Sequence, residues 1–165
     1  MKTQKKTNVL RLLDQAHIAY ESFAYSVSDG KTDAVSVAEK LNVPAEQVYK
    51  TLVTVSDGPA YFVFVIPAAG TLDLKAAARA AGVKSLEMLP QAKLLPLTGY
   101  VHGGCSPVGM KKPFPTFFDA SAQSLSEIFV SAGRVGVNVR VSSAELAAYI
   151  GAQFANVSKG AKEML

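Results

Sequence analysis

The chain has 165 residues, 49% of them hydrophobic and 18% charged, with seventeen Lys and Arg against thirteen Asp and Glu for a formal charge of +4. These values describe one globular domain, residues 1–165, large enough to bury a core, and they exclude a chain that is disordered throughout. The longest apolar stretch, Tyr61 to Ala69, contains a proline and is far shorter than the roughly 18 to 20 residues of a membrane-spanning helix, so no membrane insertion is expected.

The N-terminal Met1 to Lys6 is basic, but polar and charged residues interrupt the stretch after it, so no secretory signal is expected and a cytoplasmic protein is. Val9, Leu12, Leu13 and Ala16 at helical spacing predict an amphipathic helix over Asn8 to Gln15, with Thr7 as its N-cap. Tyr20 to Tyr25 reads as an aromatic-rich strand and Ser26 to Lys31 as a polar loop. Asp33 caps a second helix ending at Leu41, and Pro44 opens one more helical turn over Ala45 to Val48. Tyr49 to Val55 and Ala60 to Ile66 are rich in β-branched and aromatic residues; with Ser56-Asp57-Gly58-Pro59 between them they predict a hairpin.

Leu74 to Ala81 is an alanine-rich helix, preceded by Asp73 and stopped by Gly82. A short strand over Lys84 to Met88 and a short helix from Pro90 to Leu95, ended by Pro96, lead into a glycine- and proline-rich loop, Thr98 to Pro115. Loops of that length in a compact domain are usually functional. Thr116 to Asp119, Glu127 to Ser131 and Val135 to Val141 read as strands, the last two joined by Ala132-Gly133-Arg134. Ser142 or Ser143 caps a helix through Ile150, and Phe154 to Val157 forms a final strand. Helices and strands intermix, which predicts a mixed α/β fold: a twisted, partly barrel-like mixed sheet flanked by helices, rather than a doubly wound parallel sheet.

Lys50 is the most informative single residue. In an extended strand it shares a face with Leu52 and Thr54, and the strand carries no other charge. A lysine so placed either meets an anion (a phosphate, a carboxylate or a developing oxyanion) or snorkels to water from the strand's beginning. The run Gly99 to Gly109 also draws notice, because closely spaced glycines let a backbone approach a ligand and aim its amides at an anion. Its plainer reading is a tight structural turn, and it has neither the Walker nor the GxGxxG spacing. Cys105 and His102 suggest a nucleophile and its base, against which stands the habit of a lone cysteine to be a small buried hydrophobe. One cysteine and two histidines, His17 and His102, supply no zinc-site ligand set, so no metal is expected. Basic clusters at Lys2, Lys5, Lys6 and Arg11 and at Lys111-Lys112 either track a nucleic-acid backbone or are simply solvated.

Five ordered blocks carry a resemblance: Tyr49-Lys50-Thr51-Leu52, Leu72-Asp73-Leu74-Lys75, Thr98-Gly99-Tyr100, Gly103-Gly104-Cys105-Ser106-Pro107-Val108-Gly109-Met110-Lys111-Lys112 and Val130-Ser131-Ala132-Gly133-Arg134. In this order they resemble the YbaK/EbsC family, over about Val9 to Val157. The resemblance implies a trans-editing deacylase that removes cysteine from mischarged Cys-tRNA(Pro), related to the editing domain inserted in bacterial prolyl-tRNA synthetases, with no metal or organic cofactor. Its implied partners are aminoacyl-tRNA, tRNA(Pro) in particular, and a prolyl-tRNA synthetase.

By the same resemblance the family's lysine corresponds to Lys50, its GxxxP loop to Gly103 through Pro107, its pocket serine to Ser131 and its first-strand aromatic to Tyr25. Lys50, Gly103 and Ser131 are thereby implied as catalytic, and Tyr25, Thr51, Gly104, Ser106, Pro107 and Gly133 as substrate-binding. The implied nucleophile is the substrate's own thiol, which attacks the ester carbonyl and leaves as a thiolactone. Ala132 replaces a usual glycine, and Cys105 and His102 replace apolar residues. Two alternatives share this framework: an Ala-tRNA(Pro) or broader misacylated-tRNA hydrolase, and a non-catalytic tRNA- or synthetase-binding module.

Overall fold

Backbone N–H groups left over at helix starts attract side-chain oxygens, and four helices begin on such a contact in the computed structural model, which describes residues 6–160. Thr7 accepts from the Leu10 N–H ahead of α1 (Asn8–Gln15), Asp33 from Ser36 ahead of α2 (Ala34–Leu41) and Asp73 from Ala76 ahead of α3 (Leu74–Ala81). The short α4 (Leu94–Thr98) starts without a side-chain cap, and Ser142 accepts from Glu145 ahead of α5 (Ser143–Ile150). Pro96 does not end α4 as expected. It lies in the helix's first turn, where a missing N–H removes no helical hydrogen bond, and the chain turns on to Thr98.

The strands are β1 (Tyr20–Ala24), β2 (Tyr49–Val55), β3 (Tyr61–Pro67), β4 (Thr71–Leu72), β5 (Glu87–Met88), β6 (Thr116–Asp119), β7 (Glu127–Arg134), β8 (Val137–Ser142), β9 (Gln153–Ala155) and β10 (Ser158–Lys159). The β2–β3 pair is the expected antiparallel hairpin, with Lys50 opposite Ile66 and Thr54 opposite Phe62. β6 then adds parallel to β3 and β9 parallel to β6, while β5 pairs only with Thr54 and Val55 on the outer edge of β2. A second, antiparallel sheet runs in the order β1-β8-β7, and β4 pairs with β10. The fold is the expected mixed α/β type, but the sheets do not close into a barrel. They meet at one parallel bridge, Val48 to Phe129.

The alternation of β3 divides the core. Phe62, Phe64 and Ile66 face the cluster that includes Ala77 and Ala78 of α3, whereas Val65 faces Val9 and Leu13 of α1, Val130 and Val139 of the second sheet, and Leu146 of α5. Buried Asp119, at the end of β6, accepts from the Ser121 N–H and hydroxyl and from the Val157 and Ser158 N–H groups. It is thereby committed to anchoring the chain after β9. No helix among the described residues is long and apolar enough to cross a membrane. Of the N-terminal basic cluster, Lys2 and Lys5 lie outside the described residues, and Lys6 pairs with Asp14 at 2.6 Å.

The β7–β8 hairpin differs from its expected form. Its turn is Val135-Gly136, because Arg134 already pairs with Val137 across the ladder. Between that pair and the next, Ser131 with Asn138, the register shifts, so Ala132 and Gly133 bulge out of β7. Gly133 sits at φ +95, and a Cβ there would stand 2.9 Å from Val9 Cγ2 and 3.2 Å from Tyr100 Cε1, so only glycine fits. Its N–H donates to Ser131 Oγ at 3.1 Å.

Candidate active site

β2 and β7 leave their bridge side by side and then diverge, because β7 continues into the antiparallel sheet while β2 stays with β3. Lys50 lies two residues past the branch on one arm, and Ser131 lies two residues past it on the other. A cavity of about 320 Å³ occupies the fork, lined by Lys50, Thr51 and Leu52 of β2, by Ser131 of the facing arm and Asn138 of the paired β8, and by Ala34, Val35 and Val37 of α2. Tyr25, Thr32, Asp33, His102, Gly103 and Cys105 also line it.

Burial inside the fork lowers the pKa of Lys50, and the carboxylate of Asp33 partly opposes that effect. The ammonium is therefore held where water solvates it poorly, with one carboxylate nearby. Two further polar atoms are buried without a partner, Thr51 Oγ1 and Asn138 Oδ1. Buried polar groups in folded proteins are nearly always satisfied, so these two are exceptions that call for a partner, and both belong to residues of the cavity wall. Lys50 and the Thr51 hydroxyl can donate to a carbonyl or oxyanion, while Asn138 Oδ1 and Ser131 Oγ can accept from an ammonium or hydroxyl group.

The rim is held from outside. Lys40, in the last turn of α2, donates to the Ser26 carbonyl at 2.7 Å, to the Lys31 carbonyl at 2.6 Å and to Asp29 Oδ1 at 2.9 Å, and it stands 5.8 Å from the Tyr25 ring centroid. One ammonium thus pins the polar loop that carries Tyr25, Thr32 and Asp33 to the cavity. On the opposite rim, Gly103 at φ +89 places its backbone against Thr32, whose Oγ1 is 3.2 Å from the point a Cβ would reach.

Of the residues singled out in the sequence, the structure gathers Tyr25, Lys50, Thr51, Gly103 and Ser131 around this cavity. Gly104, Ser106, Pro107 and Gly133 do not line it. Gly104 packs on the β7–β8 turn, with Val135 N 3.0 Å from where a Cβ would sit, and the buried Ser106 accepts from the Val108 N–H. Thr32, Asp33 and Asn138 bring polar groups to the site that sequence reasoning does not assign to it; Asn138 stands across the ladder from Ser131 only because of the bulge. His102 and Cys105 both line the cavity, but no hydrogen bond joins them among the described residues. Burial among Val53, Val63, Leu97 and Phe114 pushes the Cys105 thiol up to about 12, which keeps it protonated and a poor nucleophile at neutral pH. No group of three metal-ligating side chains forms among the described residues.

The model of the aminoacyl-tRNA editing domain matches residues 29–149, a span that holds every residue of the cavity but Tyr25. The chain belongs to the aminoacyl-tRNA editing domain family. A protein of Enterococcus faecalis assigned as a Cys-tRNA(Pro)/Cys-tRNA(Cys) deacylase, EbsC, is 41% identical over 157 residues, covering 95% of this chain and 96% of that one. A proline–tRNA ligase of Burkholderia multivorans is 25% identical over 134 residues, covering 79% of this chain but 23% of the ligase, so the editing-family match there is to one part of a larger enzyme. Among solved structures, one described as a trans-editing enzyme for prolyl-tRNA synthetase superposes with a TM-score of 0.79 at 25% identity, covering 94% of this chain and all of that one. Another, the hypothetical protein APE2540, gives 0.84 at 22% identity over 92% of this chain and supports the fold alone.

Proposed function

We propose that this protein is a trans-editing deacylase that removes cysteine from Cys-tRNA(Pro) by cleaving the aminoacyl ester, in the cytoplasm where translation supplies that substrate. The observation that carries the reading is the fork cavity itself: its wall holds a half-buried ammonium and two residues with unpartnered polar atoms, and it offers no activated nucleophile. Ser131 accepts a hydrogen bond from Gly133, and no base contacts it among the described residues. Cys105 is a protonated, buried thiol.

An attacking group must then come from the substrate or from water. In the thiol-assisted route the cysteine sulfur bonds to the ester carbon, the ribose oxygen leaves with its bonding pair, and the thiol proton ends on that oxygen. The thiolactone so formed takes up water after release. Lys50 is placed to steady the carbonyl oxygen as it gains charge, the Thr51 hydroxyl supplies a further donor from the cavity wall, and Asn138 and Ser131 are placed to receive the substrate's ammonium. A volume of about 320 Å³ is at the small end for ligand pockets and suits an aminoacyl group with its ribose. A substrate without a thiol fits the same space but lacks the reacting atom, which gives selectivity by chemistry rather than by size.

Release of labelled amino acid from Cys-tRNA(Pro), Ala-tRNA(Pro) and Pro-tRNA(Pro) tests this directly, with wild type and Lys50→Ala side by side. Loss of cysteine alone, slowed about 10²- to 10³-fold in the variant, is expected for the removal of one charge-stabilising donor. Release of alanine at a comparable rate would overturn thiol assistance, and no release from any substrate would overturn the enzyme reading altogether.

A further inference from the structure

The positive charge of the chain is not spread evenly. Between Met88 and Phe118 there are three lysines and no carboxylate, so this segment supplies most of the net +4, and the remainder is close to balanced with fourteen basic against thirteen acidic residues. Lys93, Lys111 and Lys112 are all exposed, and they take part in none of the ion pairs among the described residues, which join Lys6 to Asp14, Lys40 to Asp29 and Arg140 to Glu21 and Glu127. Unpaired surface lysines in a stretch free of carboxylates keep their full field for an anionic partner.

The three are also brought together. Lys93 immediately precedes α4, whose five residues span only about 7.5 Å at the helical rise. Lys111 clasps the other end: its N–H donates to the Thr98 carbonyl at 3.1 Å, its stem lies over Gly99, and its Nζ reaches the Pro96 carbonyl at 3.3 Å. Lys112 is the next residue along the chain. The same segment contributes Leu94, His102, Gly103 and Cys105 to the cavity wall, and its Leu95 and Val101 are exposed. The segment that carries this basic ledge thus also forms part of the wall of the fork.

We infer that this ledge, centred on Lys93, Lys111 and Lys112, is the surface on which the phosphate backbone of the tRNA acceptor arm rests while its aminoacylated end enters the cavity. The inference rests on the reading of the cavity as an aminoacyl-ester site, and it adds the surface that distinguishes a whole tRNA from its terminal nucleoside. Lysines that neutralise phosphates release counterions, so each contact contributes about 0.7 to 0.9 to the slope of log affinity against log salt.

The test uses the full chain with Lys93, Lys111 and Lys112 all changed to Gln, uncharged tRNA(Pro) as the binding probe over a series of KCl concentrations, and cysteinyl-adenosine as a minimal substrate. The salt slope should fall by about 2 to 3 relative to wild type, with at least a tenfold loss of kcat/KM on Cys-tRNA(Pro). Turnover of cysteinyl-adenosine should be unchanged, because that substrate has no backbone to rest on the ledge. A matched removal of charge at Lys75, Arg79 and Lys84 should leave the slope near wild type. An unchanged slope in the ledge variant, an equal fall in the control, or weakened binding to a prolyl-tRNA synthetase with tRNA binding intact would each overturn the inference. If the triple variant does not fold, Lys112→Glu alone carries the same readout, with a fall of about 1 or more. Failure of wild type to turn over either substrate would instead count against the deacylase reading, while the salt slope would still decide the ledge.

Discussion

Replacing Thr51 by Val should make the protein more stable and less active at once. The Thr51 hydroxyl oxygen is buried and without a partner, and valine keeps the β-branched shape that suits a strand while putting a methyl group where the hydroxyl was. Burying an unsatisfied hydroxyl costs about 1–3 kcal/mol, so relieving it should return about 1 kcal/mol after imperfect packing, which for a chain of this size raises Tm by about 2–4 °C. The same oxygen is one of the donors proposed to meet the ester carbonyl. Losing one neutral hydrogen bond of about 1 kcal/mol in the transition state lowers kcat/KM about fivefold. Differential scanning calorimetry and single-turnover deacylation of Cys-tRNA(Pro) read the two effects separately. A variant that melts lower than wild type while deacylating at the wild-type rate would refute the argument, since it would show the hydroxyl to be structurally satisfied and functionally idle.

Asp33→Asn should move the alkaline limb of the pH dependence of kcat/KM downward, after subtraction of spontaneous ester hydrolysis. The carboxylate opposes the burial that lowers the Lys50 pKa, so without it Lys50 loses its proton, and with it the charge that acts, at lower pH. Asparagine is as good an N-cap for α2, so the helix should be retained, and a limb that stays in place or moves upward would contradict this. Lys50→Met should fold and melt no lower than wild type at pH 7. Its folded pKa is depressed, so the charged form opposes folding below that pKa, and the penalty fades only as pH rises through it. Cys105→Ala should keep deacylase activity and lose about 1 kcal/mol by urea unfolding, the cost of a small deletion in a packed site; a folded but inactive variant would return the thiol to consideration as nucleophile. Gly133→Ala should cost about 2 kcal/mol or more, from its positive φ and its approach to Val9 and Tyr100, and should lower activity by displacing Ser131.

Local chemistry is the legible part of the sequence. Thr7, Asp33 and Ser142 cap the helices they are expected to cap, Gly82 closes α3, and the β2–β3 hairpin falls within a residue of its expected ends. The caps and the hairpin's turn depend on neighbours within four residues, which a linear reading can see. Pro96 misleads because proline breaks a helix only beyond the first turn, and α4 begins later than its composition suggests. The β7–β8 turn lies beyond its expected place because Gly133 serves a bulge, not the hairpin tip, and a bulge has the same composition as a turn.

The site is legible in part for a related reason. Lys50 stands out as the lone charge in an apolar strand, and the resemblance supplies Ser131 and Gly103. Asn138 is hidden because counting back from the hairpin tip without the bulge sets Gly133, not Ser131, opposite it. Asp33 reads as a helix cap, which it is, but its second role depends on α2 crossing the mouth of the fork, a tertiary fact with no local signature. Ser106 and Pro107 belong to the glycine-rich motif yet lie buried behind the wall, where they shape the loop from within.

The single bridge between Val48 and Phe129 acts on the active site as a pivot acts on a pair of tongs. Its two residues are almost wholly buried, and Phe23 braces Phe129 with ring centroids 5.7 Å apart. The gap between Lys50 and Ser131 is therefore governed in part by Phe129 and Phe23, which do not line the cavity. Volume added or removed at Phe129 or Phe23 should open or narrow the jaws while leaving every gripping group in place, so substrate preference can drift through changes in the core that an inventory of the cavity wall would pass over.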